Sequence, residues 1–217
     1  MSARAKSIQS ALETIAGVAH EPSGTPKGTV LLTHGAGGNR DAPLIIRLCD
    51  EWAGHGWLAI RYNLPYRRRR PNGPPSNSAA SDQQGIIEAI ELAHTLTDGP
   101  VIAGGHSYGG RMTSMVAAQG ADLAALTLFS YPLHPPGKPE RARTEHLGQI
   151  EVPTVFTHGT ADPFGSIDEL TAAAQLIPAP TELIEITGAR HDLGSKTLDV
   201  PALAVAAALV FVARSGT

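Results

Sequence analysis

The residues best suited to chemistry lie at positions 105–109, where the sequence is Gly-His-Ser-Tyr-Gly. This fits the pattern Gly-x-Ser-x-Gly, in which a serine occupies a strained turn between a strand and a helix and the glycines let neighbouring backbone pass closely. A buried-strand pattern precedes the motif, and residues 112–118 have the pattern of a helix. We therefore predict that the turn exposes the hydroxyl of Ser107 as a nucleophile, the alternative being an ordinary glycine turn.

A serine hydroxyl is a weak nucleophile near pH 7, so it needs a base, and the base needs an acceptor that fixes its tautomer. Asp162 and His191 each follow a run of residues that predicts a strand. They are therefore the candidate acceptor and base, the alternatives being a turn-capping aspartate and a surface histidine. Asp168 and Asp192 are weaker candidates for the acid, because one falls in the following helix and the other adjoins the histidine.

These loops need a scaffold, and the chain alternates strand and helix patterns almost throughout. Such alternation predicts an α/β fold: a doubly wound, mostly parallel sheet with helices on both faces. In such sheets the site forms outside the carboxyl ends of the strands. An opening antiparallel strand is expected within residues 12–19, and Asp41 is expected to cap a helix that starts near Pro43. The predicted strands are 29–33, 57–62, 101–105, 123–130, 152–159 and 182–186, and the predicted helices are 44–52, 86–96, 112–118, 167–176 and one after Pro201.

Length and composition narrow the class of protein. The 217 residues suit one domain, 1–217, and the net charge of −3 with a pI near 6.3 argues against a nucleic-acid-binding protein. The first seven residues lack the apolar core of a signal peptide, and the apolar stretch 200–212 is too short to span a bilayer. We expect a soluble cytoplasmic protein that does not bind membranes.

Cys49 is the only cysteine, which excludes an internal disulfide. Nothing in the sequence indicates an oligomeric state.

An unusual arginine run follows one predicted strand on the face where the site is expected. Residues 66–75 contain four adjacent arginines and three prolines, so we predict a loop. The run could bind an anionic substrate, but charge runs are more often solvated. Residues 131–150 are short and broken by prolines, which leaves no room for a full helical cap and predicts an open site. The candidate substrate-binding residues at this rim are Tyr66, Arg67, Arg68, Arg69, Arg70 and His134.

Three segments, 61–66, 105–111 and 156–165, resemble the α/β-hydrolases, and among them a dienelactone-hydrolase-related subgroup that includes homologues of a chromatin acetyltransferase-complex subunit. The resemblance implies that Ser107 is the nucleophile, His191 the general base and then acid, and Asp162 the carboxylate that orients it. It also implies that backbone N–H groups of Ala36 and Tyr108 form the oxyanion hole.

The expected function is a serine hydrolase acting on a small ester, thioester or lactone through an acyl-enzyme intermediate. The alternative is a catalytically idle domain of the same fold that serves as a binding module in a protein complex. No cofactor and no metal are expected, because the histidines show no metal-ligand spacing and the glycine loop at residues 34–38 lacks the nucleotide-binding patterns. The expected partner is a small-molecule acyl substrate.

Overall fold

The computed structural model describes residues 3–75 and 79–215, with side chains described from residue 8 onward. The strands are β1 (Gly17–His20), β2 (Thr29–Thr33), β3 (Leu58–Tyr62), β4 (Val101–His106), β5 (Ala125–Phe129), β6 (Thr154–Gly159) and β7 (Thr181–Ile186). The α-helices are α1 (Ala3–Glu13), α2 (Pro43–Gly54), α3 (Pro65–Arg69), α4 (Ala79–Leu96), α5 (Tyr108–Ala117), α6 (Ile167–Ala174) and α7 (Val200–Arg214).

The seven strands form one sheet in the order β1-β3-β2-β4-β5-β6-β7. Strand β1 is antiparallel to β3, and all the other pairs are parallel. The predicted fold class is therefore confirmed. Because parallel strands end at the same edge, the register brings Thr33 beside Gly105 and Gly159 beside Ile186. The loops after β2, β4, β6 and β7 thus open on one edge of the sheet.

Two apolar layers cover the sheet, because successive side chains of a strand point to opposite faces. In β2, Leu31 packs in the layer that includes α4 and α5, whereas Val30 and Leu32 pack in the layer that includes α2 and α7. The strand is buried along its whole length. Burial on both faces explains why β2 appears in the sequence as an apolar run without polar alternation.

Two local predictions near the N-terminus need correction. The predicted strand 12–19 is only partly right, because Leu12 belongs to α1 and strand β1 begins at Gly17. Ile8 and Leu12 are both buried and lie four residues apart, which is the spacing of one helical face. Asp41 does not cap α2: Ala42 is the N-cap and makes no side-chain bond, while the Asp41 carboxylate forms an ion pair with Arg61.

The arginine run was predicted as a loop, but its first part is the helix α3. Pro65 occupies the first helical turn, where its missing N–H leaves no bond unmade. The N–H of Tyr66 donates to the buried carboxylate of Asp82 at 2.9 Å. Asp82 lies in α4, which begins at Ala79, well before the predicted start at residue 86. A partner distant in sequence therefore stabilises a helix that local composition does not favour.

Between β5 and β6, the structure has two single 3₁₀ turns, Pro139–Arg141 and Leu147–Gln149, and no α-helix. This agrees with the predicted absence of a helical cap. Within residues 3–75 and 79–215, no helix combines the length and the apolar character needed to cross a membrane. Met1 and Ser2, which form part of the segment used for the signal-peptide prediction, lie outside the described residues, as do residues 76–78 and 216–217 of the predicted domain.

Candidate active site

Ser107 occupies a sharp turn between β4 and α5. Its φ of 51° and ψ of −117° are unfavourable for a residue with a side chain. Glycines make the turn sterically possible: a Cβ at Gly105 would lie 2.6 Å from the carbonyl oxygen of Thr33, and one at Gly109 would lie 2.5 Å from that of His34. The two glycines of the motif therefore let β4 and α5 approach the loop after β2, as the pattern predicts.

The structure brings the side chains of Ser107, His191 and Asp162 together. The Ser107 Oγ lies 2.8 Å from His191 Nε2, and His191 Nδ1 lies 2.8 Å from Asp162 Oδ2. Asp162 Oδ1 also accepts the N–H of Phe164 at 2.9 Å. This places the imidazole proton on Nδ1, where it is donated to the carboxylate, and leaves Nε2 free to accept from the serine hydroxyl. Asp192 instead caps its own turn by accepting from Gly194 N at 3.1 Å.

The environment keeps the acid ionised. Burial by itself raises the pKa of Asp162, but the hydrogen bonds from His191 and from the backbone of Phe164 outweigh it and hold the pKa below its usual value. The Asp162 side chain is fully buried, whereas His191 keeps about a quarter of its surface exposed. A fixed carboxylate and a partly accessible imidazole suit an orienting group and a proton carrier respectively.

Two aromatic rings limit the movement of His191. The ring of Phe164 lies 4.2 Å from it between centroids, and the ring of His106 lies 5.2 Å away. His106 also donates from Nε2 to the backbone carbonyl of His191 at 2.7 Å. Burial lowers the pKa of His106, so it holds the histidine loop chiefly as a neutral ring. Neither ring was predicted as part of the site, although His106 directly precedes Ser107 and Phe164 lies two residues after Asp162.

Ala36 and Tyr108 both line the pocket that contains Ser107. Within the described part of the chain, no backbone acceptor pairs with the N–H of Ala36. Tyr108 is the first residue of α5, a position whose N–H has no intrahelical partner. Two free backbone donors beside a serine hydroxyl have the form of an oxyanion hole.

Hydrogen bonds from residues outside the pocket stabilise the loop that carries Ala36. Tyr66 donates its hydroxyl to the carbonyl oxygen of Ala36 at 2.9 Å, and the Arg67 guanidinium donates to the same oxygen at 3.1 Å. His34 Nε2 accepts from Leu64 N at 3.3 Å, and burial with the nearby charge of Arg67 helps to lower the pKa of His34 to about 4. Asp82, which the sequence analysis missed, joins the two sides of the site by accepting from Tyr108 Oη at 2.8 Å.

The candidate substrate-binding residues therefore lie elsewhere than expected. Tyr66 and Arg67 contact the back of the glycine-rich loop, and Arg68, Arg69 and Arg70 are exposed. None of these five lines the pocket that contains Ser107. His134 lines a separate cleft of about 290 Å³, where its Nδ1 donates to the carbonyl of Pro135 at 2.8 Å and its Nε2 lies 3.4 Å from Glu169.

The pocket itself has a volume of about 830 Å³. Its apolar wall comes from Pro43, Leu44, Ile45, Pro132 and Phe164. Its charged lining includes Arg111 and Arg143, which the sequence analysis did not single out. Among the residues that the structure describes, no three His, Cys, Asp or Glu side chains form a group that could hold a metal ion.

A family model described as alpha/beta hydrolase domain matches residues 26–201, which is most of the chain. The chain belongs to the α/β-hydrolase family. The predicted family resemblance is thereby confirmed, and it identifies the protein as a member of a hydrolase family. The narrower relation to homologues of a chromatin-complex subunit stays a prediction.

Solved structures with the same fold include an α/β serine hydrolase homologue from Coxiella burnetii, with a TM-score of 0.73 at 18% identity over 88% of this chain and 90% of that one. Dienelactone hydrolase from Anabaena variabilis has a TM-score of 0.71 at 20% identity, with 91% and 90% covered. Est1E from Butyrivibrio proteoclasticus, solved with ferulic acid bound, has a TM-score of 0.74 at 16% identity, with 91% and 95% covered. Identities this low indicate a shared fold and leave the substrate open.

Proposed function

We propose that this α/β-hydrolase is a serine hydrolase that cleaves a small ester, thioester or lactone through an acyl-enzyme intermediate. The observation that carries the proposal is the pair of 2.8 Å contacts that connect Ser107, His191 and Asp162. A hydroxyl, an imidazole and a buried carboxylate in this order are the groups that nucleophilic acyl transfer requires. The similarity in fold to a dienelactone hydrolase and to an esterase domain supports the same class of reaction.

In the first half of the reaction, the Ser107 oxygen attacks the acyl carbon while His191 Nε2 takes the hydroxyl proton. Asp162 accepts from Nδ1 and stabilises the imidazolium that forms. The negative oxygen of the tetrahedral intermediate would accept from the N–H groups of Ala36 and Tyr108. Collapse of the intermediate breaks the bond to the leaving group, which takes the proton from His191.

The second half returns the enzyme to its starting state. A water molecule attacks the acyl carbon and transfers its proton to His191, and the new tetrahedral intermediate expels Ser107, which recovers its proton from the imidazolium. The partly exposed ring of His191 allows this water to reach the acyl group. The carboxylic acid product then leaves through the pocket.

A fluorophosphonate probe tests the proposal, because it phosphonylates only serines that a neighbouring base activates. We expect labelling of Ser107, located by peptide mass spectrometry, and complete loss of labelling and of ester hydrolysis in Ser107→Ala. Ser114→Ala is the matched control, since Ser114 is also buried in this part of the chain but bonds to His146. Circular dichroism should show that both variants are folded. Labelling of a different serine, or none in folded protein, would favour the idle binding module.

A further inference from the structure

Two arginines from separate segments of the chain line the pocket. Arg111 lies one helical turn after Ser107, and its backbone N–H donates to the carbonyl of Ser107 at 2.9 Å. Arg143 comes from the segment between β5 and β6, where its Nη1 donates to the carbonyl of Pro132 at 2.9 Å. Both side chains are half-buried, and both line the pocket that contains Ser107.

Neither guanidinium has a counter-ion within the described ranges. No Asp or Glu there lies within 4.0 Å of the nitrogen atoms of Arg111 or Arg143. The Arg111 side chain donates no hydrogen bond to any described residue, and its Nε is buried without a partner. Arg143 uses one of its five N–H groups on Pro132. Most of the donors on these two groups are therefore unused.

The surroundings add little negative charge. Burial, followed by the charge of Arg111, lowers the pKa of His146 to about 4, so that His146 is neutral near pH 7. Burial and the charge of Arg111 also lower the pKa of Arg143. Glu145, whose charge acts on Arg143, is exposed to solvent, and so is Asp192, which lines the same pocket.

Two half-buried cations in one pocket without a counter-ion are unfavourable, because each is partly dehydrated and each repels the other. A bound anion removes both costs, and the planar guanidinium fork matches the two oxygens of a carboxylate. We infer that the substrate of this enzyme carries a carboxylate, and that Arg111 and Arg143 bind it while Ser107 attacks the ester or thioester carbonyl. This inference rests on the proposed function and adds the class of substrate.

The test compares pairs of esters of similar size, one with a carboxylate and one with an uncharged group in its place. Methyl monoesters of malonic, succinic and glutaric acid are paired with neutral esters of equal length in which a methyl ketone replaces the carboxylate. 4-Carboxyphenyl acetate and 4-acetylphenyl acetate form the same comparison on the leaving-group side. We expect kcat/KM to favour the carboxylate by about 30-fold in at least one pair, since charge-assisted bidentate bonds are strong.

Variants of the two arginines test whether they cause the preference for carboxylate esters. Arg111→Met and Arg143→Met should each lower the ratio of kcat/KM for the carboxylate ester to kcat/KM for its neutral partner from about 30 to about 3 or less, whatever their effect on either value alone. Arg141→Met is the matched control, because it removes the same charge from an exposed residue two positions from Arg143. If either pocket variant does not fold, the other carries the test. A preference in no pair, or one that survives both substitutions, would overturn the inference.

A binding measurement separates this inference from the proposed function. Calorimetric titration of the Ser107→Ala protein with each monoester and its neutral partner needs no turnover. Binding of a carboxylate ligand that is tighter by about 10-fold or more, and that Arg111→Met abolishes, supports the anion site even if no ester is hydrolysed. Hydrolysis of neutral esters that depends on Ser107, with equal binding of all pairs, would overturn the anion site and leave the hydrolase.

Discussion

Arg67 and Arg111 carry the same guanidinium in opposite circumstances. Arg67 donates five hydrogen bonds to the carbonyl oxygens of Ala36, Gly38, Arg70, Pro71 and Gly73, over distances of 2.7 to 3.2 Å. A guanidinium has five N–H groups, so Arg67 has none left for a substrate. Arg111 donates none of its side-chain N–H groups to a described residue, although it lines the pocket.

The difference separates two uses of one residue type. Arg67 is nearly buried and is solvated by backbone carbonyls, so it functions as an internal brace of the glycine-rich loop. Arg111 and Arg143 are 32 positions apart in the chain and line the same pocket. Adjacency in sequence made the run at residues 67–70 a candidate anion site, although a solvated run was the favoured interpretation. Free donors in the pocket point instead to the pair that the sequence keeps apart.

The largest effect on activity is expected at Asp162, which has a role in the proposed chemistry and none in the proposed binding of the carboxylate. Asp162→Asn should lower kcat by about three to four orders of magnitude, because the amide stabilises the wrong tautomer of His191. The reduction should be equal for carboxylate and neutral esters, since charge recognition is left intact. Steady-state kinetics on a matched pair measure both quantities. Asp168→Asn, which changes an exposed acid in the first turn of α6, is the control. Near-normal turnover of Asp162→Asn would reassign the acid to Asp168 or Asp192.

Arg67→Lys tests the bracing role without changing the charge. The ammonium cannot reach five carbonyl oxygens, so we expect the free energy of unfolding to fall by about 3 kcal/mol, measured by urea denaturation. Activity on charged and neutral esters should fall by the same factor. Arg68→Lys, at an exposed neighbour, should change stability by less than about 0.5 kcal/mol. A selective loss of activity on carboxylate esters, with stability unchanged, would place Arg67 in contact with substrate.

The regions around Arg67 and Arg111 each contain a histidine whose pKa is lowered by burial, His34 and His146 respectively. His34 is the more buried of the two. Burial is the main reason that the pKa of His34 is lowered to about 4. The unfolded chain therefore binds a proton that the folded protein excludes as the pH falls below about 6.5, and stability decreases until the pH approaches 4. We expect His34 by itself to account for a loss of about 2 kcal/mol in the free energy of unfolding between pH 7 and pH 5.

His34→Gln should flatten this pH dependence. His146→Gln should flatten it less, because His146 is more accessible than the fully buried His34. Urea denaturation at pH 7 and pH 5 provides the measurement for both variants. A dependence that is equally steep in His34→Gln would show that other groups cause the acid destabilisation.

The smallest effect is expected for the exposed part of the arginine run. Replacing Arg68, Arg69 and Arg70 together with glutamine should change kcat/KM for carboxylate esters by less than about 3-fold, because exposed charges outside the pocket are screened by salt. The same assay at 0.05 and 0.5 M salt, in wild type and variant, checks the explanation. A large loss of kcat/KM that is confined to charged substrates would show that this segment binds the carboxylate.

Several features were predictable because they depend on local pattern. Apolar strands that alternate with helices indicated the parallel sheet, and the predicted class is confirmed. The glycines on either side of Ser107 indicated the strained turn, since backbone crowding at Gly105 and Gly109 permits no side chain. The strand patterns that precede Asp162 and His191 made them the candidate acid and base, the family resemblance implied the same roles, and the structure places both beside the serine.

Other features depend on partners that are distant in sequence. The composition of residues 66–75 indicated a loop, but Asp82 binds the N–H of Tyr66 and a helix forms. Nothing in the local sequence distinguishes Arg111 from the other arginines, because the role that we infer for it depends on the absence of a partner among the described residues and on the presence of Arg143 in the same pocket.

The sequence by itself determined the sheet, the turn that presents Ser107 and the kinds of residue available to it, because strand pattern and backbone strain are properties of neighbouring residues. Only the tertiary structure decided which arginine donates its N–H groups to backbone carbonyls and which one lines the pocket. The physical reason is that desolvation and hydrogen bonding act through space: a guanidinium takes its role from the acceptors that folding brings around it, and these come from every part of the chain.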